Sequence, residues 1–259
     1  MSDQILFEVR EHVGIVTLNR PAKLNALNDA ATDELDAAVA RALSDPEVRA
    51  ILIRAEGRAF CAGRDLNELG HRRFNESNYE HVRMAQRRNL SLFASPKPVV
   101  AAVQGHAIGG GFEIALAADI RVASEDALFR IPEIRYGLLP DTGASQVLSV
   151  LIGPARTKLL ILTGRAMTAR QAEQWGAVDI VTTREALDET AFEIAREIAA
   201  GPPMALALGK QLADHPWAEH IRSGLGLELM AQTALFGTED YQEARAAMRE
   251  KRVATFGGK

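Results

Sequence analysis

Two carboxylates stand in surroundings where a soluble chain seldom leaves one. Glu113 lies inside Phe112-Glu113-Ile114-Ala115-Leu116-Ala117, and Glu133 follows Pro132 in Phe129-Arg130-Ile131-Pro132-Glu133-Ile134. A carboxylate among apolar neighbours needs a partner or a chemical task. Each also has a structural reading: Glu113 as a first-turn acid favoured by the helix dipole, Glu133 as a first-turn acid behind an initial proline. Two small-residue turns accompany them, Cys61-Ala62-Gly63-Arg64-Asp65 and His106-Ala107-Ile108-Gly109-Gly110-Gly111. Such turns can leave backbone N–H groups unpaired and let a ligand approach the main chain, although a glycine turn beside a helix is often structural only. Two of these donors converging on one oxygen make an oxyanion hole suited to a thioester enolate. With two carboxylates beside it, that hole suits proton transfer or water addition next to a thioester. Sequence alone does not bring the two glutamates together.

The elements that must position these groups alternate in type. Val13 to Leu18, Val48 to Arg54, Pro98 to Val103 and Ile120 to Ala123 read as strands, the second and third emptying into the two turns. Helical spacing runs from Asn28 to Ser44 and from Asn78 to Phe93, and a small-residue helix opens over Glu113 to Ala118. This order predicts an α/β arrangement. Beyond Gly153 the pattern turns helical: Pro154 to Thr163, Thr168 to Trp175, Leu187 to Ala199, Met204 to Ala213, Ile221 to Phe236 and Asp240 to Lys251. Thr168 with Gln171 forms a capping-box pattern, and only Val178 to Val181 reads as a strand in that half. The expected division is a core over residues 1–200 and a helical oligomerisation region over 201–259.

Composition narrows the partners. The 259 residues carry 30 Lys and Arg against 34 Asp and Glu, a net charge of −4, which gives no general affinity for nucleic acid or anionic membrane. No run of about 18 apolar residues suggests a spanning helix. The N-terminus is charged where a secretory signal would be apolar, and a lone cysteine, Cys61, suits a reducing compartment, so a cytoplasmic protein is expected. The six histidines show no metal-binding spacing, and no dinucleotide fingerprint follows a first strand.

In order along the chain, Asn19-Arg20-Pro21-Ala22-Lys23-Leu24-Asn25-Ala26-Leu27, Phe60-Cys61-Ala62-Gly63-Arg64-Asp65-Leu66, Lys97 to Val103, Gly109-Gly110-Gly111-Phe112-Glu113 and Pro132-Glu133 resemble successive signatures of the crotonase (enoyl-CoA hydratase/isomerase) family. The likeness continues through Leu162-Thr163-Gly164-Arg165 and Gln174 to Val178 as far as Glu250-Lys251-Arg252. The resemblance implies a spiral of ββα units with a C-terminal helical part that builds trimers, often paired into hexamers. It implies a coenzyme A thioester as substrate, with no permanently bound cofactor and no metal. The backbone N–H groups of Arg64 and Gly110 would form the oxyanion hole, Arg64 being bulkier than the small residue often found there. The coenzyme would be held around Lys23, Leu24 and Ala62, with Asp65 and Leu66 next in the same segment. Glu113 and Glu133 would share a water that adds across the C2–C3 double bond, so a hydratase is expected, ahead of an isomerase or a non-catalytic acyl-CoA-binding subunit. Asp141, in Gly137-Leu138-Leu139-Pro140-Asp141-Thr142-Gly143, stands where many hydratases have glycine. Related isomerases and dehalogenases use an aspartate near this position as base or nucleophile; the plainer reading is that Asp141 caps the helix starting near Gly143 or orders water.

Overall fold

A computed structural model describes residues 3–73 and 75–259. The main sheet has six strands in the order β1 (Ile5–Arg10), β2 (Val13–Leu18), β3 (Ala50–Ala55), β4 (Val99–Val103), β6 (Ile120–Ser124) and β9 (Ile180–Thr182). The β1–β2 pair is antiparallel and every other pair is parallel. A second sheet joins β5 (His106–Ile108), β7 (Leu128–Arg130) and β8 (Ala166–Thr168). The chain passes from β4 into β5 and again from β6 into β7, and after β3 Cys61 bridges to Ala107 of β5. Each circuit thus lays one strand in each sheet before a helix, the expected ββα spiral.

The main strands read as unbroken hydrophobic runs because both of their faces are covered. Ile51, Ile53, Val99, Ala101 and Val103 enter the large core with Leu35 and Val39 of α1 (Asp29–Ser44) and Phe112 and Ile114 of α3 (Gly110–Leu116). Ala50, Leu52, Val100 and Ala102 face Leu187, Ala191, Phe192 and Ala195 of α7 (Leu187–Ala199). The helix expected over Asn78 to Phe93 is present as α2 (Asn78–Phe93), started by a Ser77–Glu80 capping box. After α4 (Ala144–Ile152) and α5 (Pro154–Thr163), the Thr168–Gln171 box starts α6 (Ala169–Trp175).

Two expectations are corrected. Met204 to Ala213 and Ile221 to Phe236 are not separate helices but one, α8 (Pro203–Leu235), with Pro216 inside it. A proline removes one helical hydrogen bond; here both flanks are anchored, by Lys210 on Asp119 (2.8 Å) and by the buried Leu225, Glu228 and Gln232. The C-terminal half also holds a second strand, β8, whose three residues are too few to show a period. After α8 comes α9 (Glu239–Glu250). Among the described residues no helix is long and apolar enough to cross a membrane.

Candidate active site

The Cys61–Asp65 turn is built on a buried amide. Asn25, itself at positive φ, donates from Nδ2 to the carbonyls of Glu56 (2.9 Å) and Ala59 (2.8 Å), while its Oδ1 accepts from Arg20 N (2.7 Å). The Ala62 amide donates to the Leu24 carbonyl (2.9 Å), so the Lys23–Leu24 loop lies directly against Ala62. Leu27 N donates to Gly63 O (2.8 Å) and Asp65 N donates to Leu27 O (2.9 Å). These bonds use the amides and carbonyls on either side of Arg64, so the Arg64 N–H points away from Leu27. Its side chain is drawn aside to Asp29 (2.6 Å) and Glu68 (3.3 Å). Asp65 is occupied structurally, pairing with Arg20 and accepting from Asn67 N, while Leu66 is exposed at the rim. Cys61 is packing: its buried thiol is pushed up to about 11 by desolvation, and its Sγ donates to Asn25 O (3.1 Å).

The second turn meets the first face to face. A side chain at Gly63 would lie 2.6 Å from Ile108 O and 3.6 Å from Gly110 N, so only glycine lets the two main chains approach this closely. Gly109 turns the chain at φ 53° and ψ −126°, leaving the Gly110 amide as the first of α3 with open space around its Cα. The two N–H groups named from the sequence, Arg64 and Gly110, thus lie on adjoining turns. Both residues line one cavity of about 590 Å³, shared with Lys23, Ala62, Glu113, Glu133 and Asp141.

Glu113, 2 % exposed, is held by its surroundings in an ordered way. Its Oε1 accepts from Thr142 N (2.9 Å) and Ala144 N (3.3 Å), donors at the start of α4. Burial pushes this carboxyl up, and those amides oppose the shift. Glu133 begins a short 3-10 turn; its carboxyl packs so closely on Gly109 that a Cβ there would collide with it. Its Oε2 is buried and has no hydrogen-bond partner among the described residues. Burial and the Glu113 charge hold Glu133 well above the usual carboxylate range.

Asp141 does not cap α4, which corrects that expectation. The N-cap is Gly143, and the free amides there go to two other carboxylates: Thr142 and Ala144 to Glu113, and Gly143 to Glu228 Oε2 (2.9 Å). Asp141 turns instead into the cavity, pushed up to about 8 by burial and then by Glu113, with a hydrogen bond from Gln232 opposing the shift. Its main chain is fixed, the carbonyl accepting from Gln86 Nε2 (2.8 Å).

Glu228 of α8 was not singled out from the sequence. It is buried, bonded to Gly143 N and Ser145 Oγ, and burial with the Glu113 charge pushes it up to about 8. The signal was there: Glu228 is an acid within Leu225-Gly226-Leu227-Glu228-Leu229-Met230, the same kind of surrounding that marked Glu113. Gln86 and Asn89 of α2 were also missed; Asn89 donates to the Glu113 and Thr142 carbonyls (3.2 and 3.0 Å). Among the described residues no group of His, Cys, Asp and Glu side chains is arranged to hold a metal ion.

A spiral of ββα units with two opposed glycine turns and paired acids defines a known class. The family model for enoyl-CoA hydratase/isomerase matches residues 8–259, and the chain belongs to that family of enzymes. A short-chain-enoyl-CoA hydratase of Clostridium acetobutylicum is 37 % identical over 96 % of both chains. Among solved structures, a carnitinyl-CoA hydratase from Mycobacterium avium superposes with a TM-score of 0.89 at 30 % identity over the whole of both chains. An enoyl-CoA hydratase/isomerase from Xanthobacter autotrophicus gives 0.87 at 30 % identity, covering 96 % of this chain and 94 % of that one.

Proposed function

We propose that this enzyme adds water across the 2,3 double bond of an enoyl-CoA thioester to give the 3-hydroxyacyl-CoA. The observation that carries the reading is the pair Glu113 and Glu133: two buried carboxyls facing one cavity that Arg64 and Gly110 also line, with one Glu133 oxygen lacking a partner among the described residues. Their environments separate their roles. Glu113 accepts two backbone N–H bonds and is the better site for negative charge, so it takes the proton from water. Glu133, with no donor on Oε2 and the charge of Glu113 nearby, stays neutral and protonates C2. The amides of Arg64 and Gly110 hold the thioester oxygen and stabilise the enolate charge. Coenzyme A lies along Lys23, Leu24 and Ala62, with Leu66 at the rim; it is substrate rather than resident cofactor.

Asp141 favours a second reading. A third acid in the cavity could carry a proton between C2 and C4, making the enzyme an isomerase without water addition. One experiment separates the two: crotonyl-CoA and a 3-enoyl-CoA are incubated in H₂¹⁸O with the wild type and with Asp141→Asn. Label in the 3-hydroxyl group, with Asp141→Asn within about tenfold of the wild type, supports hydration; that loss is below about 1.4 kcal/mol of transition-state stabilisation. Bond migration without label, abolished by Asp141→Asn, replaces hydration with isomerisation.

A further inference from the structure

Part of the cavity wall combines apolar surface with a half-buried cation, Arg72, that forms no ion pair among the described residues. Arg72 lies in the segment between the first turn and α2. Its guanidinium stacks over the Phe236 ring at 4.2 Å, and Phe236 in turn packs edge-on against His81 (6.1 Å between centroids). Arg72, His81 and Phe236 all line the cavity, with Met84, Leu138 and Leu139 beside them. Nε donates to Asn78 Oδ1 (3.0 Å) and Nη1 to His71 O (2.8 Å), which fixes the plane of the group beside the Tyr241 hydroxyl.

Several neighbouring arginines are already paired. Arg64 pairs with Asp29 and Glu68, Arg73 with Asp33 and Arg88 with Asp36. Glu76, four residues on, accepts from Arg73 N (3.1 Å) and contacts the His81 ring (3.2 Å); its charge acts on Arg72 without forming an ion pair. Arg72 forms no ion pair among the described residues, though it is half-buried. Its charge reaches Asp141, but Asp141 is itself held toward its neutral form. A half-buried guanidinium with no ion-pair partner is costly, and a flat, pre-oriented one matches a carboxylate. A purely apolar acyl chain would bury it further and leave it unpaired.

We infer that Arg72 recognises a carboxylate at the far end of the acyl chain, so that the preferred substrates are enoyl-CoA thioesters of dicarboxylic acids. The chain's methylenes would lie against Leu138, Leu139 and Met84, and its terminal carboxylate on the free edge of the guanidinium over Phe236. The inference rests on the hydratase reading for the reaction, but not for binding.

The test compares trans-2-hexenedioyl-CoA with trans-2-hexenoyl-CoA as substrates, and saturated adipoyl-CoA with hexanoyl-CoA by titration calorimetry, in the wild type, Arg72→Met, Arg72→Gln and Arg72→Lys. A charge-assisted carboxylate contact leads to an expected ten- to hundredfold wild-type preference for the dicarboxylic member of each pair. The preference should fall at least tenfold in Arg72→Met and Arg72→Gln and survive in part in Arg72→Lys. Because the readout is a ratio within one protein, a general loss of folded enzyme cancels. Equal or weaker wild-type binding of adipoyl-CoA, or a preference untouched in the Met and Gln variants, overturns the assignment. A calorimetric preference for adipoyl-CoA with neither enoyl thioester hydrated would remove the hydratase reading and leave Arg72's role standing.

Discussion

At the scale of single residues, burial raises both Glu113 and Glu133; backbone donors oppose the rise at Glu113, whereas the Glu113 charge adds to it at Glu133. Two α4 amides sit on Glu113 Oε1, whereas Glu133 Oε2 has none among the described residues. Replacing either by glutamine keeps size and hydrogen bonding but removes proton transfer. Each single variant should therefore lose about 10² to 10⁴ in kcat. If both groups act on one water, the double variant should be little worse than the worse single one. Steady-state kinetics on crotonyl-CoA, with calorimetric binding of a saturated acyl-CoA as control, measures this; losses that multiply would show that the two do not share a water. The burial of glutamates in apolar settings was easier to anticipate than the placement of Asp141, which stands two residues before the α4 N-cap, Gly143, in a position that also suits capping.

At the scale of elements, α4 explains how the acids are arranged. Its first amides receive carboxylates from α3 and α8, and Gln86 and Asn89 of α2 hold the carbonyls of Asp141 and Thr142. Three helices thus converge on one loop, and the loop sets Glu113. The Gly109 turn does the equivalent for Glu133. Gly109→Ala should both strain the backbone, by about 1 to 3 kcal/mol at this φ and ψ, and push the Glu133 carboxyl from its seat. The expected outcome is a fall in kcat of at least about tenfold with Glu133 unmutated, together with a lower melting temperature. Wild-type turnover in a folded Gly109→Ala protein would mean that Glu133 is not positioned by this contact.

At the scale of the whole molecule, Glu113, Glu133, Asp141 and Glu228 share one interior region and all four are raised. In the unfolded chain such groups release protons near pH 4; in the fold Asp141 and Glu228 hold theirs to about pH 8. The folded state therefore binds more protons across that interval, and stability must fall as pH rises from about 4.5 through about 8. Thermal melts should show a lower midpoint at pH 8.5 than at pH 6, with a smaller difference in Glu228→Gln. A midpoint that rises over this interval, or an unchanged difference in the variant, would contradict the account. On the outer surface, α8 exposes Met204, Leu208, Leu212, Leu227 and Met230. We propose that this face is covered in a trimer or a pair of trimers, closed by symmetry; light scattering that gives a monomer at micromolar concentration would refute it.

What the sequence determined by itself was whatever depends on local chemistry: the buried strands, the capped helices, the two glycine turns, and the presence of lone acids in apolar runs. Those features are set by side-chain type and by φ and ψ preferences over a few residues, so they can be read from neighbours. The three-residue strands of the small sheet carry no period and could not be read that way, and the gap expected between Ala213 and Ile221 is closed by one helix packed on either side. Only the tertiary structure decided which carboxylate receives which amide. Asp141 is near the start of α4 in sequence, yet Glu113 lies 29 residues before Thr142, and Glu228 lies 85 residues after Gly143; these two take the amides there. Competition between groups so far apart along the chain is settled by the packing of α2, α3 and α8 around one loop, because proximity in space, not spacing in sequence, fixes the field each carboxyl feels.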